Sequence, residues 1–355
     1  MLTFLGRHPK EGPVRLLGPL AATLAALTLT ACGSPAPDTA PATPETAVPL
    51  TLYSAQHKEI AKAWADEFTE ETGIPVTIRQ GGDFELANQI IAEGDSSPAD
   101  VFITENTPAL SLLSSRDRLA PLDDTTKAQV PPQYQSGAGD WIGVAARSTV
   151  LVYNPTLLPA DQLPASIMDL QQPQWKDRVG VAAGGADFQA IVSAVYAVEG
   201  DQAAGTWLEG LKANARVYQN NVAIMKAVNA GQIPAGVIYH YYWYKDQAEG
   251  GGGSKNTQLE FFFHQDAGAF VSVSGAGVVG STKNAVEAQQ LVAFMSGKRG
   301  QEILAGTDAL EYTVGDDVPA NPKLKPFSEL QPPAVDLNTL NGPKVISEMQ
   351  RVGLI

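Results

Sequence analysis

Residues 235–244 read AGVIYHYYWY and join a short apolar run to a cluster of aromatic side chains. The apolar run, residues 235–238, predicts a buried strand, so the cluster lies at that strand's carboxyl end. Open α/β sheets bind their ligands at this edge. If a helix begins here, the side chains of Tyr241 and Tyr242 leave its axis about 100° apart, so both hydroxyls can reach one ion. The alternative is an aromatic core patch, or a platform on which a sugar or base stacks.

The first 31 residues have the features of an export signal. Three basic residues precede an apolar run, residues 16–29, that is too short to span a bilayer. The sequence LTACG at 29–33 resembles a bacterial lipobox, so we expect cleavage before Cys32 and acylation of its thiol. Residues 32–48 are rich in proline and are expected to form a disordered tether. These features predict a lipoprotein held at the outer face of a membrane.

Composition narrows the class of protein further. Cys32 is the only cysteine, so the folded part contains no internal disulfide. The formal net charge of −14 repels nucleic acid, and no nucleic-acid partner is expected. An apolar fraction of 44% is typical of an ordinary globular protein.

Strands alternate with helices along the chain, which predicts βαβ units and a parallel sheet. His57 follows a strand predicted over residues 49–53, and Glu105 follows one predicted over 99–103. Both side chains are therefore expected at the carboxyl ends of neighbouring strands, where sites form. Each has an ordinary alternative: a solvated loop histidine, or a glutamate that stabilises a helix start.

Two stretches precede predicted helices. Residues 184–187 read GGAD, and glycines at a helix start leave backbone N–H groups free to bind an anion. A tight turn with an aspartate cap explains the same residues. Asp83 is likewise predicted to be the N-cap of its helix.

The long apolar stretch over residues 142–153 is expected to cross into a second lobe.

One motif favours an enzyme. Residues 275–280 read GAGVVG and satisfy the G-x-G-x-x-G pattern, but they lie near the end of an exported chain. The pattern indicates a dinucleotide site only in a βαβ unit with a carboxylate downstream. The sequence contains no Walker loop, no G-x-S-x-G and no H-E-x-x-H, and a single cysteine excludes a cysteine-based site. An exported enzyme is therefore the less favoured alternative.

His57, Glu105, Tyr241 and Tyr242 form the strongest candidate metal site. Their oxygen donors are hard, whereas structural zinc sites favour Cys and His, and calcium prefers carboxylates and carbonyls. A phenol with a pKa of about 10 loses its proton near neutral pH only beside a strongly charged ion. Ferric iron fits these donors best. Four protein donors leave an octahedral ion two positions short, which a small anion held at residues 184–186 could fill.

Four segments resemble the ferric-iron-binding proteins of bacterial ABC importers, also called bacterial transferrins. They are YSAQHKE at 53–59, SPADVF at 97–102, YYW at 241–243 and SGKRGQ at 296–301. The similarity extends from about residue 50 to the C-terminus, in the same order and with similar spacing. The tyrosine pair with the early Gln-His is fairly specific to this family, whereas SPADV occurs in solute-binding proteins more broadly.

The resemblance implies a type II periplasmic-binding-protein fold, in which two α/β lobes are joined by two crossing hinge strands and bind the ligand in the cleft. Lobe 1 is expected to comprise residues 49–147 and 270–355, and lobe 2 residues 148–269. Closure of the cleft would bring His57 and Glu105 from one lobe against the tyrosines of the other.

The resemblance also implies the roles of individual residues. It implies that Fe³⁺ is ligated by His57, Glu105, Tyr241 and Tyr242, and that a synergistic anion such as carbonate or phosphate is held by Gly184, Gly185, Ala186 and Asn220. Relatives have a serine in place of Gly184 and an asparagine in place of Tyr239, a difference that bears on the identity of the anion. Arg147 is the candidate for a compensating charge.

The function implied by the resemblance is high-affinity capture of extracytoplasmic Fe³⁺ and its delivery to the permease and ATPase of an ABC iron importer. We expect a monomer that is anchored through lipid at Cys32 and performs no catalysis. The first alternative is a solute-binding protein of the same fold for thiamine, a polyamine or a sugar. Such a protein would use the aromatic cluster for stacking, without deprotonation of tyrosine.

Overall fold

The structure is a computed structural model, which describes residues 48–315 and 317–355. These residues belong to one compact unit. The predicted signal peptide over 1–31, the predicted acylation site at Cys32 and the predicted tether, apart from its last residue, Val48, lie outside them. Within the described ranges, no helix has both the length and the apolar character needed to cross a membrane.

The described residues contain ten strands, which form one mixed sheet. Their bounds are β1 (Leu50–Ser54), β2 (Val76–Gln80), β3 (Val101–Ile103), β4 (Leu119–Ala120), β5 (Ile142–Tyr153), β6 (Val179–Val181), β7 (Ala215–Val217), β8 (Ala235–Tyr239), β9 (Gln258–Glu260) and β10 (Val271–Val279).

The same part of the chain contains ten α-helices. Their bounds are α1 (Lys58–Thr72), α2 (Asp83–Glu93), α3 (Pro108–Ser114), α4 (Asp124–Lys127), α5 (Ala186–Asn214), α6 (Asn221–Asn229), α7 (His240–Ala248), α8 (Ala285–Ser296), α9 (Lys298–Gly306) and α10 (Gly342–Arg351).

Helix α1 shows how the sequence specifies these elements. Ile60, Trp64 and Phe68 recur every four residues and are buried, so they form the apolar stripe that faces the core. Gly73 ends the helix with a φ of 74°, a left-handed conformation that glycine adopts without strain. The Trp64 indole N–H donates to the Gly300 carbonyl oxygen over 2.8 Å, which ties α1 to α9.

The strand order is β2-β1-β3-β10-β5-β8-β6-β7, with β4 on β10 and β9 on β5. Strand β1 is parallel to β2 and β3, and β6 is parallel to β7 and β8, as the βαβ pattern predicted. The antiparallel strands β5 and β10 join these two groups. The first part of β5 pairs with β10 up to Ser148, and the part from Thr149 onward pairs with β8. Strand β5 therefore runs through both halves of the sheet, and β10 lies beside its first part.

The structure explains three local features of the sequence. The glycines of the dinucleotide-like motif lie within β10, between β3 and β5, rather than in a turn before a helix. A Cβ atom at Gly275 would lie 2.6 Å from Leu110 Cδ1, so this glycine is required for packing. Gly82, not Asp83, is the N-cap of α2. Helix α5 consists of two helical segments that meet at a kink at Gly200, whose φ is 78°.

The carboxyl ends of four strands carry the polar side chains of interest. His57 follows β1 and Glu105 follows β3. Asp187 begins α5 after β6, and the tyrosine pair begins α7 after β8. Within each half of the sheet the parallel strands end at one edge. Because β10 is antiparallel to β3, and β5 is antiparallel to both β10 and β8, the two halves run in opposite directions and their carboxyl ends face each other.

Candidate metal centre

The tyrosine pair occupies the first turn of α7. Tyr239 is the N-cap, with extended backbone, and His240 is the first helical residue. Tyr241 and Tyr242 therefore leave the helix at successive positions, yet their ring centroids lie only 4.2 Å apart. Tyr241 is buried and Tyr242 partly so. The two phenols are directed to the same place, as the sequence predicted for a helix start.

His57 and Glu105 lie against this pair. His57 Nε2 is 3.3 Å from Glu105 Oε1, and the imidazole contacts the Tyr241 ring edge-on with 4.9 Å between centroids. The backbone N–H of His57 donates to the Gln56 side-chain oxygen over 2.7 Å, which fixes the loop after β1. The structure thus brings together the four side chains that the sequence analysis grouped.

The loop that carries Glu105 is held by two groups that the sequence analysis did not assign to it. The backbone N–H of Glu105 donates to Asp83 Oδ1 over 2.8 Å. Arg147 Nη1 donates to the carbonyl oxygen of Glu105 over 2.5 Å. Since both contacts are made to the backbone, the Glu105 carboxylate stays available to a ligand.

Asp187 is the main candidate ligand that the sequence analysis did not identify as one. Its Oδ2 accepts from the Tyr242 hydroxyl over 3.0 Å, from the Tyr241 hydroxyl over 3.4 Å and from Asn221 Nδ2 over 2.8 Å. Its Oδ1 accepts from Asn106 Nδ2 over 3.0 Å. The side chain is only 5% exposed and lies in the first turn of α5, where the helix dipole favours a negative charge. A carboxylate therefore lies between the two phenols.

The residues predicted to bind an anion lie in different surroundings. Gly185 is the N-cap of α5 without a side-chain cap, preceded by exposed Gly184 and followed by Ala186. Asn220 is exposed and caps α6, since its Oδ1 accepts from Ala223 N over 2.9 Å. The next residue, Asn221, is the one that reaches Asp187. The Arg147 guanidinium is buried and is bound through both Nη atoms to other protein groups.

The electrostatics follow from burial and from Asp187. Burial, reinforced by the negative charge of Asp187, raises the pKa of Tyr241 and Tyr242 well above the usual range. The same two causes raise the pKa of Glu105. Burial, with smaller effects of Arg147 and Lys245, lowers the pKa of His57 to about 3. At neutral pH, without an ion, the phenols are protonated and the imidazole is neutral.

The protonation state determines which ion the site could bind. Among residues 48–315 and 317–355, no three His, Cys, Asp or Glu side chains are arranged to hold an ion by themselves. A site here needs the phenol oxygens, and protons leave such phenols only for a strongly polarising cation. A cavity of about 460 Å³ opens beside His57, Tyr241 and Tyr242, and gives access from solvent.

Comparison with known proteins agrees with this architecture. The family model described as bacterial extracellular solute-binding protein matches residues 96–335. The chain belongs to this family. One solute-binding relative, the Fe(3+)-binding periplasmic protein of Serratia marcescens, is 51% identical over 306 residues, which cover 86% of this chain and 90% of the relative.

Solved structures resemble this solute-binding protein over the same region. Iron-bound HitA from Pseudomonas aeruginosa is 44% identical, with a TM-score of 0.82 over 86% of this chain and 99% of that one. The Trichodesmium protein IdiA, or FutA, in complex with iron and citrate is 27% identical, with a TM-score of 0.74 over the same shares. These similarities confirm the predicted family and the two-lobed type II fold with its two crossing strands.

Proposed function

We propose that this solute-binding protein captures Fe³⁺ outside the cytoplasm and that His57, Glu105, Tyr241 and Tyr242 are its protein ligands. The observation that carries the proposal is the convergence of the two phenols with the His57–Glu105 pair. The His57 ring lies 4.9 and 6.3 Å from the ring centres of Tyr241 and Tyr242, and both phenol hydroxyls donate to Asp187 over 3.0–3.4 Å. Iron binding by the Serratia and Pseudomonas relatives named above supports it. A donor set rich in anionic oxygen matches a hard trivalent ion.

Asp187 changes the expected role of the anion. Carbonate or phosphate was predicted to sit at the N-terminus of α5, but there the chain places its own carboxylate within 3.4 Å of both phenols. We therefore propose Asp187 as a fifth donor. One octahedral position is left, and a small anion that enters beside Gly184, Gly185 and Ala186 fills it. Asn220 and Arg147 contribute less, because their polar groups are largely occupied.

The wider function is transport. Lobe 1, residues 49–147 and 270–355, supplies His57 and Glu105, and lobe 2, residues 148–269, supplies the phenols and Asp187. An ion bound by both lobes stabilises the closed form, so binding and closure are one equilibrium. The closed monomer, anchored through lipid at Cys32, then presents iron to the permease and ATPase of an ABC importer, and no chemistry is performed on a substrate.

The experiment that tests this function is a titration of the soluble protein, residues 48–355, with ferric iron. We expect a visible phenolate-to-iron charge-transfer band, which the Tyr241→Phe and Tyr242→Phe variants weaken or lose. Tyr218→Phe is the matched control, because Tyr218 follows β7 and is not among the candidate ligands. A folded protein that gives no band in carbonate, phosphate or citrate would contradict phenolate ligation.

The same titration separates iron from an organic solute. Because the pKa of both phenols is raised, each binds its proton at neutral pH and must release it to become a ligand. We expect at least two protons per iron in unbuffered solution, one from each phenol, and Glu105, whose pKa is also raised, can release a further one. Thiamine, a polyamine or a sugar stacked on the aromatic cluster would bind without that release.

A further inference from the structure

A buried ion pair lies beside the candidate ligands without belonging to them. Arg147 Nη2 donates to Glu311 Oε2, and both side chains are 0% exposed. Arg147 is in the crossing strand β5. Glu311 is in the segment after α9, which is fixed to β5 by two backbone hydrogen bonds of 2.8 Å between Ala146 and Tyr312. The pair is thus held at the crossing between the two halves of the sheet.

This pair contacts three of the four predicted donors. Arg147 Nη1 donates to the carbonyl oxygen of Glu105, and its Cζ lies 5.6 Å from the centre of the Tyr241 ring. Glu311 Oε1 is 4.0 Å from His57 Nε2. The three donors follow β1, β3 and β8, so a single pair connects donors from separate elements.

Two atoms of the pair are left without a hydrogen bond. Arg147 Nε and Glu311 Oε1 are buried and have no partner of ordinary geometry, although the Gln56 amide lies near the carboxylate. Burying two charges is costly, and an apolar pair of similar size often gives equal stability. Incomplete satisfaction of both groups therefore points to a role at the site rather than to stability alone.

We propose that Arg147 and Glu311 are positioning residues of the iron site. Arg147 fixes the backbone of Glu105 and favours the phenolate of Tyr241, while Glu311 holds Arg147 and keeps a negative charge beside His57 and the cation. Their charges act on the iron in opposite directions. The proposal rests on the proposed iron-binding function, and it assigns neither residue to direct ligation.

The test is the reduction potential of the bound iron in Glu311→Gln and Arg147→Met. Loss of the negative charge favours Fe²⁺, so Glu311→Gln is expected to shift the potential positively. Loss of the positive charge favours Fe³⁺, so Arg147→Met is expected to shift it negatively. Both variants are expected to bind Fe³⁺ about 10–100-fold more weakly, as when an outer-shell partner of a metal ligand is lost.

Four further variants keep the test interpretable. The double variant Arg147→Met/Glu311→Gln removes both charges, and its potential is expected to return toward that of the wild type. Arg147→Lys keeps the charge, so its potential is expected to stay near the wild type even if affinity falls. Arg299→Gln and Glu67→Gln break a surface ion pair between α1 and α9 and serve as controls without effect.

Shifts of the same sign in both single variants, or no shift in either, would overturn the proposal and leave a structural ion pair. An iron-loaded structure with Glu311 directly on the metal would overturn it as well. If the wild type itself gives no charge-transfer band, the proposed function fails. A wild-type band with unshifted potentials in the variants refutes only the positioning role.

Discussion

Asp187 connects most of the site at the scale of single residues. Its two oxygens take hydrogen bonds from Tyr241, Tyr242, Asn221 and Asn106, so a single carboxylate contacts the phenols and both flanking loops. The sequence analysis did note this aspartate, but as a helix cap. A cap and a ligand have the same local pattern, and only the approach of α7, more than fifty residues later, distinguishes them.

We predict that Asp187→Asn weakens Fe³⁺ binding by more than about 10-fold and makes it depend on added anion. The amide keeps the shape and most hydrogen bonds but removes a negative charge between the phenols. Iron affinity is measured by chelator competition with and without carbonate or phosphate. Asp201→Asn, an exposed position of the same helix, is the control. An unchanged affinity at all anion concentrations would exclude Asp187 as a donor.

At the scale of elements, the site depends on how closely α6 packs on β8. A Cβ atom added at Gly236 would lie 2.1 Å from Ile224 Cγ2 and 3.3 Å from the Gly180 carbonyl oxygen. Glycine at this position of β8 therefore brings α6, and with it Asn221, against the sheet edge.

We predict that Gly236→Ala lowers the free energy of unfolding by about 1–3 kcal/mol, the usual cost of overpacking a core. Chemical denaturation of the metal-free protein measures this change. Gly252→Ala is the matched control, because nothing lies within 4 Å of its Cβ position and its φ is not positive. Equal stability of the two variants would mean that α6 shifts without cost.

His240 connects three elements and is neutral in the folded protein. Its Nδ1 accepts from the Ser148 backbone N–H over 3.1 Å, and its Nε2 donates to the Leu310 carbonyl oxygen over 3.0 Å. Burial is the largest influence on this group and lowers its pKa to about 3. Protonation at Nδ1 would break the bond to β5.

We predict that His240→Gln is less stable than the wild type at pH 7, and that this difference in stability becomes smaller as the pH falls. Below about 6.5 the unfolded histidine takes up a proton that the folded one refuses until about pH 3. The wild type therefore loses stability between these values, and the variant lacks this contribution. Melting temperatures of both metal-free proteins at pH 7 and pH 4.5 test the prediction. A gap that stays constant would contradict it.

At the scale of the whole molecule, the sequence predicted the fold and the family, and it grouped the four candidate ligands that the structure brings together. The βαβ pattern placed His57 and Glu105 at one sheet edge, and the resemblance supplied the two crossing strands, both of which are confirmed. It did not reveal Glu311 or Asn106. Glu311 lies in a segment without a helix or strand pattern, and Asn106 stands next to the predicted ligand Glu105. Only tertiary contacts show that either side chain reaches the site.

Asn106 follows β3 and hydrogen-bonds to residues of the other half of the sheet. It donates to Asp187 and accepts from the Tyr239 and Ser272 hydroxyls over 3.2 and 2.6 Å.

We predict that Asn106→Ala opens the metal-free protein, seen as a larger radius of gyration by small-angle X-ray scattering. Iron should abolish the difference, since the ion itself then joins the lobes. Gln265→Ala, at an exposed loop, serves as the control. Identical metal-free scattering curves would show that Asn106 does not restrain opening.

The position of β10 in the sheet affects the order in which the protein folds. This strand lies between β3 and β5, although it follows them by more than a hundred residues. All strands of the half around β8 have been synthesised once β9 is made. The half that contains β1, β2 and β3 also needs β10, which joins β3 to β5. Contacts of such long sequence separation form late. The N-terminal half of the sheet begins to be synthesised first, and its strand pairing is therefore completed last.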